Sequence, residues 1–177
     1  MDKIDLLNNI AILKNVLPQK NNSFDLIKDN TVWDLSISSR KTCSYGKPYN
    51  YSNLKYEKTD FPYYIKEMSK IVEYNFKFSP NNCLINFYDD YNSRMGFHSD
   101  QIDLLVDNSG IAIFSLGDSR TMRFKNKLNK DEIIDILLEP NSLFFMSKNL
   151  QKYWLHSVLK GSSSFNQRIS VTFRELI

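Results

Sequence analysis

Short β-like segments in the second half of the chain constrain the fold more than any other feature. From residue 83 onward, runs of four to seven apolar or alternating residues are separated by polar turns. Runs of this length are typical of strands in antiparallel sheets, and they are too short for core helices. The eight segments are Cys83–Tyr88, Met95–His98, Ile111–Leu116, Thr121–Phe124, Ile133–Leu138, Leu143–Met146, Trp154–Leu159 and Arg168–Arg174.

The first half of the chain carries a helical pattern instead. Residues 2–17 place five apolar side chains at helical spacing, and Pro18 follows them, which predicts one helix. A second helix is predicted from Asp60, a residue type that caps helices, with Pro62 in its first turn. Residues 40–59 are polar and rich in tyrosine, which predicts a long loop or hairpin. The buried stripe of the second helix is predicted to be Ile65, Met68, Ile71 and Val72.

Two helices followed by eight short strands predict a mainly β fold. We expect two antiparallel sheets of the jelly-roll type, with the N-terminal helices packed on one sheet. The length of 177 residues suits one domain with one sizeable core. We therefore expect a single domain over residues 1–177, in which residues 1–82 are helical support and residues 83–177 are the jelly-roll core.

The composition excludes several classes of protein. Hydrophobic residues make up 42% and charged residues 24%, which is ordinary for a globular domain and excludes a disordered chain. The formal charge of +3 permits nucleic-acid binding without arguing for it. Cys43 and Cys83 form no CxxC pair, and no run approaches the roughly 18 apolar residues of a membrane span. Since the N-terminus also lacks a signal-peptide pattern, we expect a soluble intracellular protein of cytoplasm or nucleus, without membrane association.

The two histidines of the chain form a candidate metal site with one carboxylate. His98 and Asp100 are separated by one residue at the end of a predicted strand, so both side chains project from one face. His156 is the other histidine and lies in another predicted strand. Two imidazoles and one carboxylate with open coordination positions are typical of non-haem Fe(II) oxygenases. The alternative is that the His-x-Asp spacing is chance and that His156 is a core histidine.

Polar side chains on two further strands form a candidate carboxylate site. Asn86 and Tyr88 share one face of their strand, where an amide and a phenol suit hydrogen bonding to carboxylate oxygens. Guanidinium groups on a second strand add charge-assisted bonds. The alternative for both strands is an ordinary polar face bordering solvent. Alternation in the last strand places four polar side chains on one face: Arg168, Ser170, Thr172 and Arg174.

Together these motifs resemble the AlkB-like 2-oxoglutarate oxygenases over residues 83–176. The resemblance implies a double-stranded β-helix fold, Fe(II) and 2-oxoglutarate as cofactors, and O2 as cosubstrate. A weaker similarity to the substrate lid of this family lies at residues 45–52. The motifs are Asn86-x-Tyr88, His98-x-Asp100, Ser115-Leu116-Gly117 with Arg120, His156, and the strand from Arg168 through Ser170 to Arg174.

The resemblance also implies roles for individual residues. His98, Asp100 and His156 are expected to bind iron and to form the catalytic centre. Arg168 and Tyr88 are expected to hold the distal carboxylate of 2-oxoglutarate. The remaining members of the cosubstrate site are expected near the carboxylate that chelates iron or on the same polar face: Asn86, Arg174 and Ser170.

The substrate site is the part of the resemblance that this sequence fits least. The lid tyrosines Tyr45, Tyr49 and Tyr51 are expected to clamp a flipped base. Family members that repair nucleic acid carry an acidic residue two positions after the iron-binding aspartate, and this chain has Ile102 there. Asp103, one position further, is the candidate replacement.

Three functions follow, in order of preference. The first is oxidative demethylation of N-alkylated bases in DNA or RNA, which is nucleic-acid repair. The second is hydroxylation or demethylation of a protein side chain or small metabolite, which Ile102 and the modest charge favour. The third is a jelly-roll binding module without catalysis. We expect a monomer with alkylated nucleic acid as its partner and no obligate protein partner.

Overall fold

A computed structural model describes residues 2–18, 22–49, 56–162 and 167–177 of the chain. The helices are α1 (Lys3–Asn8), α2 (Ser23–Asn30), α3 (Tyr63–Phe76) and α4 (Leu150–Tyr153), with a 3-10 turn at Ile102–Leu104. The strands are β1 (Ile10–Lys14), β2 (Lys41–Gly46), β3 (Asn82–Tyr88), β4 (Met95–His98), β5 (Gly110–Gly117), β6 (Arg120–Asn126), β7 (Ile133–Leu138), β8 (Ser142–Ser147), β9 (Trp154–Val158) and β10 (Arg168–Arg174).

The strands form two antiparallel sheets. The larger sheet has the order β1-β8-β5-β10-β3-β2, and the smaller has the order β4-β9-β6-β7. Most neighbouring strands are non-consecutive in sequence, as in a jelly roll, and the two consecutive pairs are β2–β3 and β6–β7. The predicted mainly β, double-stranded β-helix fold is therefore confirmed. All eight strands predicted from residue 83 onward are present: four are longer by one or two residues at one or both ends, three match, and β9 is one residue shorter.

The larger sheet is buried on both faces because it lies between the smaller sheet and two helices. Its outer face packs against Ile27 of α2 and against Ile65, Met68 and Val72 of α3. Its inner face contributes to a second core that it shares with the smaller sheet. β10 is central and wholly buried, so its polar side chains face the interior between the sheets and not solvent. A charged group in this interior destabilises the folded state unless it has a partner.

The single helix predicted for residues 2–17 is wrong. α1 ends at Asn8, and residues 10–14 form β1, which pairs with β8 at the edge of the larger sheet. Leu7, one of the five apolar side chains at helical spacing, is 48% exposed. The helical spacing is outweighed by backbone hydrogen bonds to β8, which lies more than a hundred residues away in sequence. Asn15 then turns the chain in a left-handed conformation, with φ of 55°.

The division of the chain at residue 83 also needs correction. β1 and β2 come from residues 1–82, yet both belong to the larger sheet. β2 lies within residues 40–59, which were predicted to form a loop or hairpin. Its inward positions, Thr42 and Ser44, are buried but polar, so they give no hydrophobic signal for a strand. The helix near Asp60 is present, but its N-cap position is Pro62 and no side chain caps it. No helix within the described ranges is long and apolar enough to cross a membrane.

Candidate active site

His98, Asp100 and His156 come together at one end of the space between the sheets. His98 ends β4 and lies directly opposite His156 of β9, with ring centroids 4.2 Å apart. Oδ2 of Asp100 lies 3.7 Å from Nε2 of His156. One potential ligand atom of each residue lies within 4.8 Å of the other two. Within the described part of the chain, this is the one group of His, Cys and acidic side chains with metal-site spacing.

The contacts of this group leave the metal-facing atoms available. Nδ1 of His98 lies 2.9 Å from the carbonyl oxygen of Gly96, so Nε2 is the atom left to bind a metal. Oδ2 of Asp100 is buried and has no hydrogen-bond partner among the described residues. A buried carboxylate oxygen without a partner is costly, and a metal ion would satisfy it.

Asp100 and His156 are held in the protonation states that bind metals. Burial opposes ionisation of Asp100, but Arg174 and the two histidines outweigh it and lower the pKa of Asp100 to about 2. Burial and the neighbouring His98 lower the pKa of His156 to about 3. At neutral pH the aspartate is therefore charged and His156 is neutral. Metal binding needs no proton release from either group.

Three side chains hold Asp100 in place. Arg174 donates to Oδ1 from Nε at 2.7 Å and from Nη2 at 2.5 Å. The hydroxyl of Tyr49 donates to the same oxygen at 3.1 Å and accepts from the backbone N–H of Gln101 at 2.9 Å. Oε1 of Gln151 accepts from the backbone N–H of Asp100 at 3.0 Å. These bonds occupy Oδ1 and the backbone, and they direct Oδ2 towards the histidines.

A cavity of about 420 Å³ extends from the two histidines between the sheets to Arg168. Arg168 is fully buried and donates from Nε to Oγ of Ser115 at 2.8 Å. Its two terminal nitrogens have no hydrogen-bond partner among the described residues, and its guanidinium carbon lies 5.2 Å from the Tyr88 ring centroid. The apolar part of the wall consists of Leu84, Ile111, Ile113, Met122, Met146 and Val158. Such a cavity can receive a small dianion at Arg168 while excluding water from the histidines.

Comparison with known proteins identifies the family. The sequence matches the 2OG-Fe(II) oxygenase superfamily over residues 10–174. The chain belongs to the 2OG-Fe(II) oxygenase superfamily. The resemblance to AlkB-like members, predicted from the motifs, is confirmed by the relatives described next.

Two relatives and one solved structure give the comparison detail. Alpha-ketoglutarate-dependent dioxygenase alkB homolog 3 of Mus musculus is 31% identical over 147 residues, which cover 76% of this chain and 51% of the mouse protein. DNA oxidative demethylase ALKBH2 of Bos taurus is 29% identical over 104 residues, 55% of this chain and 37% of that protein. The chain thus spans about half the length, or less, of these relatives. The structure of OsALKBH1 matches with a TM-score of 0.69 at 17% identity, covering 94% of this chain and 98% of that chain, which shows the shared fold.

The residues of this 2OG-Fe(II) oxygenase fit the cofactors of the superfamily. Fe(II) needs nitrogen and oxygen ligands with open positions, and the two histidines with the unpartnered Asp100 oxygen provide that set. 2-Oxoglutarate needs a cation for its distal carboxylate, and the unpartnered nitrogens of Arg168 face the cavity. In both places, buried polar atoms that have no hydrogen-bond partner among the described residues would be satisfied by the cofactor.

The structure also places the other residues predicted for the cosubstrate site. Asn86 and Ser170 lie opposite one another on β3 and β10 and both line the cavity. Nδ2 of Asn86 donates to Oγ of Ser170 at 3.5 Å. Oδ1 of Asn86 accepts from Nε of Arg40 at 2.8 Å. The predicted set is therefore brought to one cavity, although Arg174 reaches it as the partner of Asp100.

The residues predicted to contact the substrate lie in different parts of the structure. Tyr45 lies on the outer face of the larger sheet and packs against the helical side of the core, which contradicts its predicted contact with substrate. Asp103 lies in the 3-10 turn, is exposed, and does not line the cavity. Tyr49 lines the cavity but is 4% exposed, and the Arg174 guanidinium lies 4.3 Å from its ring centroid. Tyr51 lies outside the described residues.

Three side chains that contact the candidate site were not predicted from the sequence: Arg40, Lys127 and Gln151. Arg40 precedes β2 and lines the cavity beside Asn86. Nζ of Lys127 donates to Oγ of Ser99 at 3.0 Å and to the carbonyl oxygen of Gln151 at 2.7 Å. For Arg40 a signal was available, because arginine occurs only six times in the chain and three of the six line this cavity. No local pattern marks the other two.

Proposed function

We propose that this chain is an Fe(II)- and 2-oxoglutarate-dependent dioxygenase that oxidatively demethylates N-alkylated bases in DNA or RNA. One observation carries the oxygenase part of the proposal. The His-Asp-His group, in which Asp100 and His156 are buried and His98 is half-buried, shares one cavity with the buried, incompletely partnered guanidinium of Arg168. The nucleic-acid part is supported by the similarity to DNA oxidative demethylase ALKBH2.

In this proposal each part of the cavity has a defined task. His98, Asp100 and His156 bind iron, and Arg168 with Tyr88 binds the distal carboxylate of 2-oxoglutarate. When bound, iron and 2-oxoglutarate supply the oxidation in which O2 hydroxylates a substrate C–H bond and 2-oxoglutarate becomes succinate and CO2. A hydroxylated N-methyl group then leaves as formaldehyde. Asn86 and Ser170 on β3 and β10 complete the polar wall beside the cosubstrate.

The protein contributes orientation and exclusion of water. Arg174 and Tyr49 hold one oxygen of Asp100, which directs the other towards the histidines. The apolar wall limits contact between bulk water and the reacting centre, and the polar groups of the cavity would orient 2-oxoglutarate beside the metal.

A product assay tests the proposal. Purified protein with Fe(II), 2-oxoglutarate and ascorbate is expected to release formaldehyde and succinate in equal amounts from methylated oligonucleotides. An unmethylated oligonucleotide of the same sequence is the control and should yield no formaldehyde. If no methylated DNA or RNA oligonucleotide gives formaldehyde while succinate forms slowly without substrate, the nucleic-acid part is overturned and the oxygenase part stands.

The second candidate is an oxygenase of the same fold that acts on a protein side chain or small metabolite. It is favoured by Ile102, which stands where nucleic-acid repair enzymes carry an acidic residue, and by the modest charge of +3. Succinate formation that peptides or metabolites stimulate, and methylated oligonucleotides do not, would support it. The binding-module alternative is disfavoured because the His-Asp-His ligand set is complete and shares its cavity with Arg168.

Gln151 is expected to set the metal affinity although it does not touch the metal. Its side chain is 1% exposed and accepts from the backbone N–H of Asp100, so replacement by leucine leaves that buried donor unpaired. We expect Gln151→Leu to weaken Mn(II) binding by about tenfold or more, as loss of a ligand-orienting bond does in other metal sites. Titration of the apo-protein with Mn(II) measures this. Lys152→Leu, at the exposed neighbouring position on α4, is the matched control. Equal Mn(II) affinities for Gln151→Leu and the parent protein would refute the role.

A further inference from the structure

The charged groups that line the cavity are predominantly positive. Arg40, Arg168 and Arg174 contribute three guanidiniums, and Asp100 contributes one carboxylate, so three positive charges against one negative charge leave a surplus of two. His98 and His156 also line the cavity, and each would bind a metal ion as a neutral imidazole, so neither adds to the count. Fe(II) carries two positive charges and 2-oxoglutarate two negative charges, so loading both leaves the surplus unchanged. A substrate group that enters this cavity meets a positive environment.

No other carboxylate offsets this charge. In the described residues, Asp100 is the only acidic side chain that lines the cavity. Asp89 is paired with Lys41 at 2.9 Å, and Asp103 is exposed outside the lining. The segments outside the described ranges, residues 19–21, 50–55 and 163–166, contain no Asp or Glu in the sequence. Asp100 is therefore the only carboxylate of the lining among the described residues, and the other segments of the chain have no acidic side chain to add to it.

The position next to Asp100 carries a neutral amide instead. Gln101 lines the cavity, and its backbone N–H is fixed by the Tyr49 hydroxyl. The NH2 group of an amide can donate to a carbonyl oxygen beside the methylated nitrogen of an uncharged base. A cationic base would gain no ion pair from Gln101 and would be repelled by the surrounding guanidiniums.

We propose that this site selects uncharged N-methylated bases over cationic ones. The inference rests on the proposed demethylase function and deepens it by naming the charge class of the substrate. Methylation at N3 of cytosine or N1 of adenine produces a base that is positively charged at neutral pH. Methylation at N3 of uracil or N1 of hypoxanthine produces a neutral base of nearly the same shape. The cavity favours the second kind because its charge balance penalises the first.

Two matched pairs of oligonucleotides test the inference. One pair carries 3-methylcytosine or 3-methyluracil, and the other carries 1-methyladenine or 1-methylhypoxanthine, in the same sequence. We expect kcat/KM for formaldehyde release to be at least about tenfold higher for the neutral member of each pair. Fluorescence anisotropy with Mn(II) and N-oxalylglycine in place of Fe(II) and 2-oxoglutarate gives the same comparison as a binding affinity, independent of turnover.

A charge variant makes the test specific to this cavity. Gln101→Glu adds a carboxylate of nearly the same size to the lining, and it is expected to shift the neutral-to-cationic ratio by about tenfold towards the cationic base. Asp103→Asn, which removes a carboxylate two residues away but outside the lining, is the control and should leave the ratio unchanged. A shift of the same size but in the opposite direction for Asp103→Asn, which removes a negative charge, would indicate a general surface effect and would overturn the assignment to the cavity.

Failure of the charge inference and failure of the demethylase function would give different results. If the parent protein demethylates the cationic member of each pair as well as or better than the neutral member, the charge inference is overturned and the demethylase function stands. If none of the four oligonucleotides yields formaldehyde, although Mn(II) and 2-oxoglutarate bind, the demethylase function is overturned and the charge inference falls with it.

Discussion

Replacement of His156 by alanine is expected to abolish turnover, with a loss on the order of a thousandfold or more in the rate of succinate formation. Removal of a bond that merely orients a metal ligand lowers metal affinity by about tenfold to a hundredfold, and removal of a ligand itself exceeds that range. His156 faces Asp100 and His98 from the middle of β9, and within the described ranges no further His, Cys or acidic side chain completes the group. Titration with Mn(II) measures the loss of metal affinity, and succinate release measures the loss of turnover.

The control for His156→Ala is Ser157→Ala on the same strand. Ser157 is as buried as His156, and its hydroxyl bonds to the backbone of Arg123, away from the cavity. His98→Ala is the second test variant, because His98 is only half-buried and its loss opens no cavity in the core. If either histidine variant kept the parent rate of succinate formation, the iron-site assignment would be wrong. Thermal unfolding of the apo-proteins separates loss of the metal from loss of the fold.

The strands that were predicted correctly are those in which apolar and polar residues alternate because the two faces of the strand lie in different environments. In β10, Ile169, Val171 and Phe173 pack beneath the helices, and the alternating polar residues face the cavity. Alternation normally indicates one wet face, and here it indicates a polar interior. The prediction of the strand was therefore correct on its pattern, and only the nearby metal motif distinguished a lined cavity from solvent.

β1 and β2 could not be predicted from local pattern. β1 has helical spacing in its apolar residues, and its strand form depends on β8, which follows far along the chain. β2 buries Thr42 and Ser44, so its inner face gives no hydrophobic signal. Both strands lie at edges of the larger sheet, where pairing with one neighbour decides the conformation.

The residues of the candidate site also differ in whether a local sequence pattern could predict them. His98, Asp100 and His156 were predictable because the chain has only two histidines and one stands two residues before an aspartate. Arg40 and Gln151 were not, because their roles consist of contacts with Asn86 and Asp100, which lie 46 and 51 residues away. Tyr45 and Asp103 were predicted from their sequence neighbourhood, and a strand face and a 3-10 turn direct them away from the cavity.

Arg168 is expected to show opposite effects on stability and on cosubstrate binding. The side chain is fully buried, and burial lowers its pKa because the charged form is desolvated. It has no carboxylate partner in the described ranges, and both terminal nitrogens lack hydrogen bonds there. An unpaired buried charge destabilises the protein in the absence of ligand. Such a charge is retained when a bound anion compensates it.

Arg168→Met is therefore expected to raise the unfolding temperature of the apo-protein. It is also expected to raise the KM for 2-oxoglutarate by about a hundredfold, which corresponds to the loss of about 3 kcal/mol from a charge-assisted bond. Methionine fills much of the same volume without the charge. The thermal shift on adding N-oxalylglycine, large for the parent protein, should almost disappear. Arg123→Met is the matched control, because Arg123 is exposed and paired with Asp135 at 2.7 Å, and it should change neither quantity by much. A lower unfolding temperature together with an unchanged KM would show that Arg168 is a structural residue.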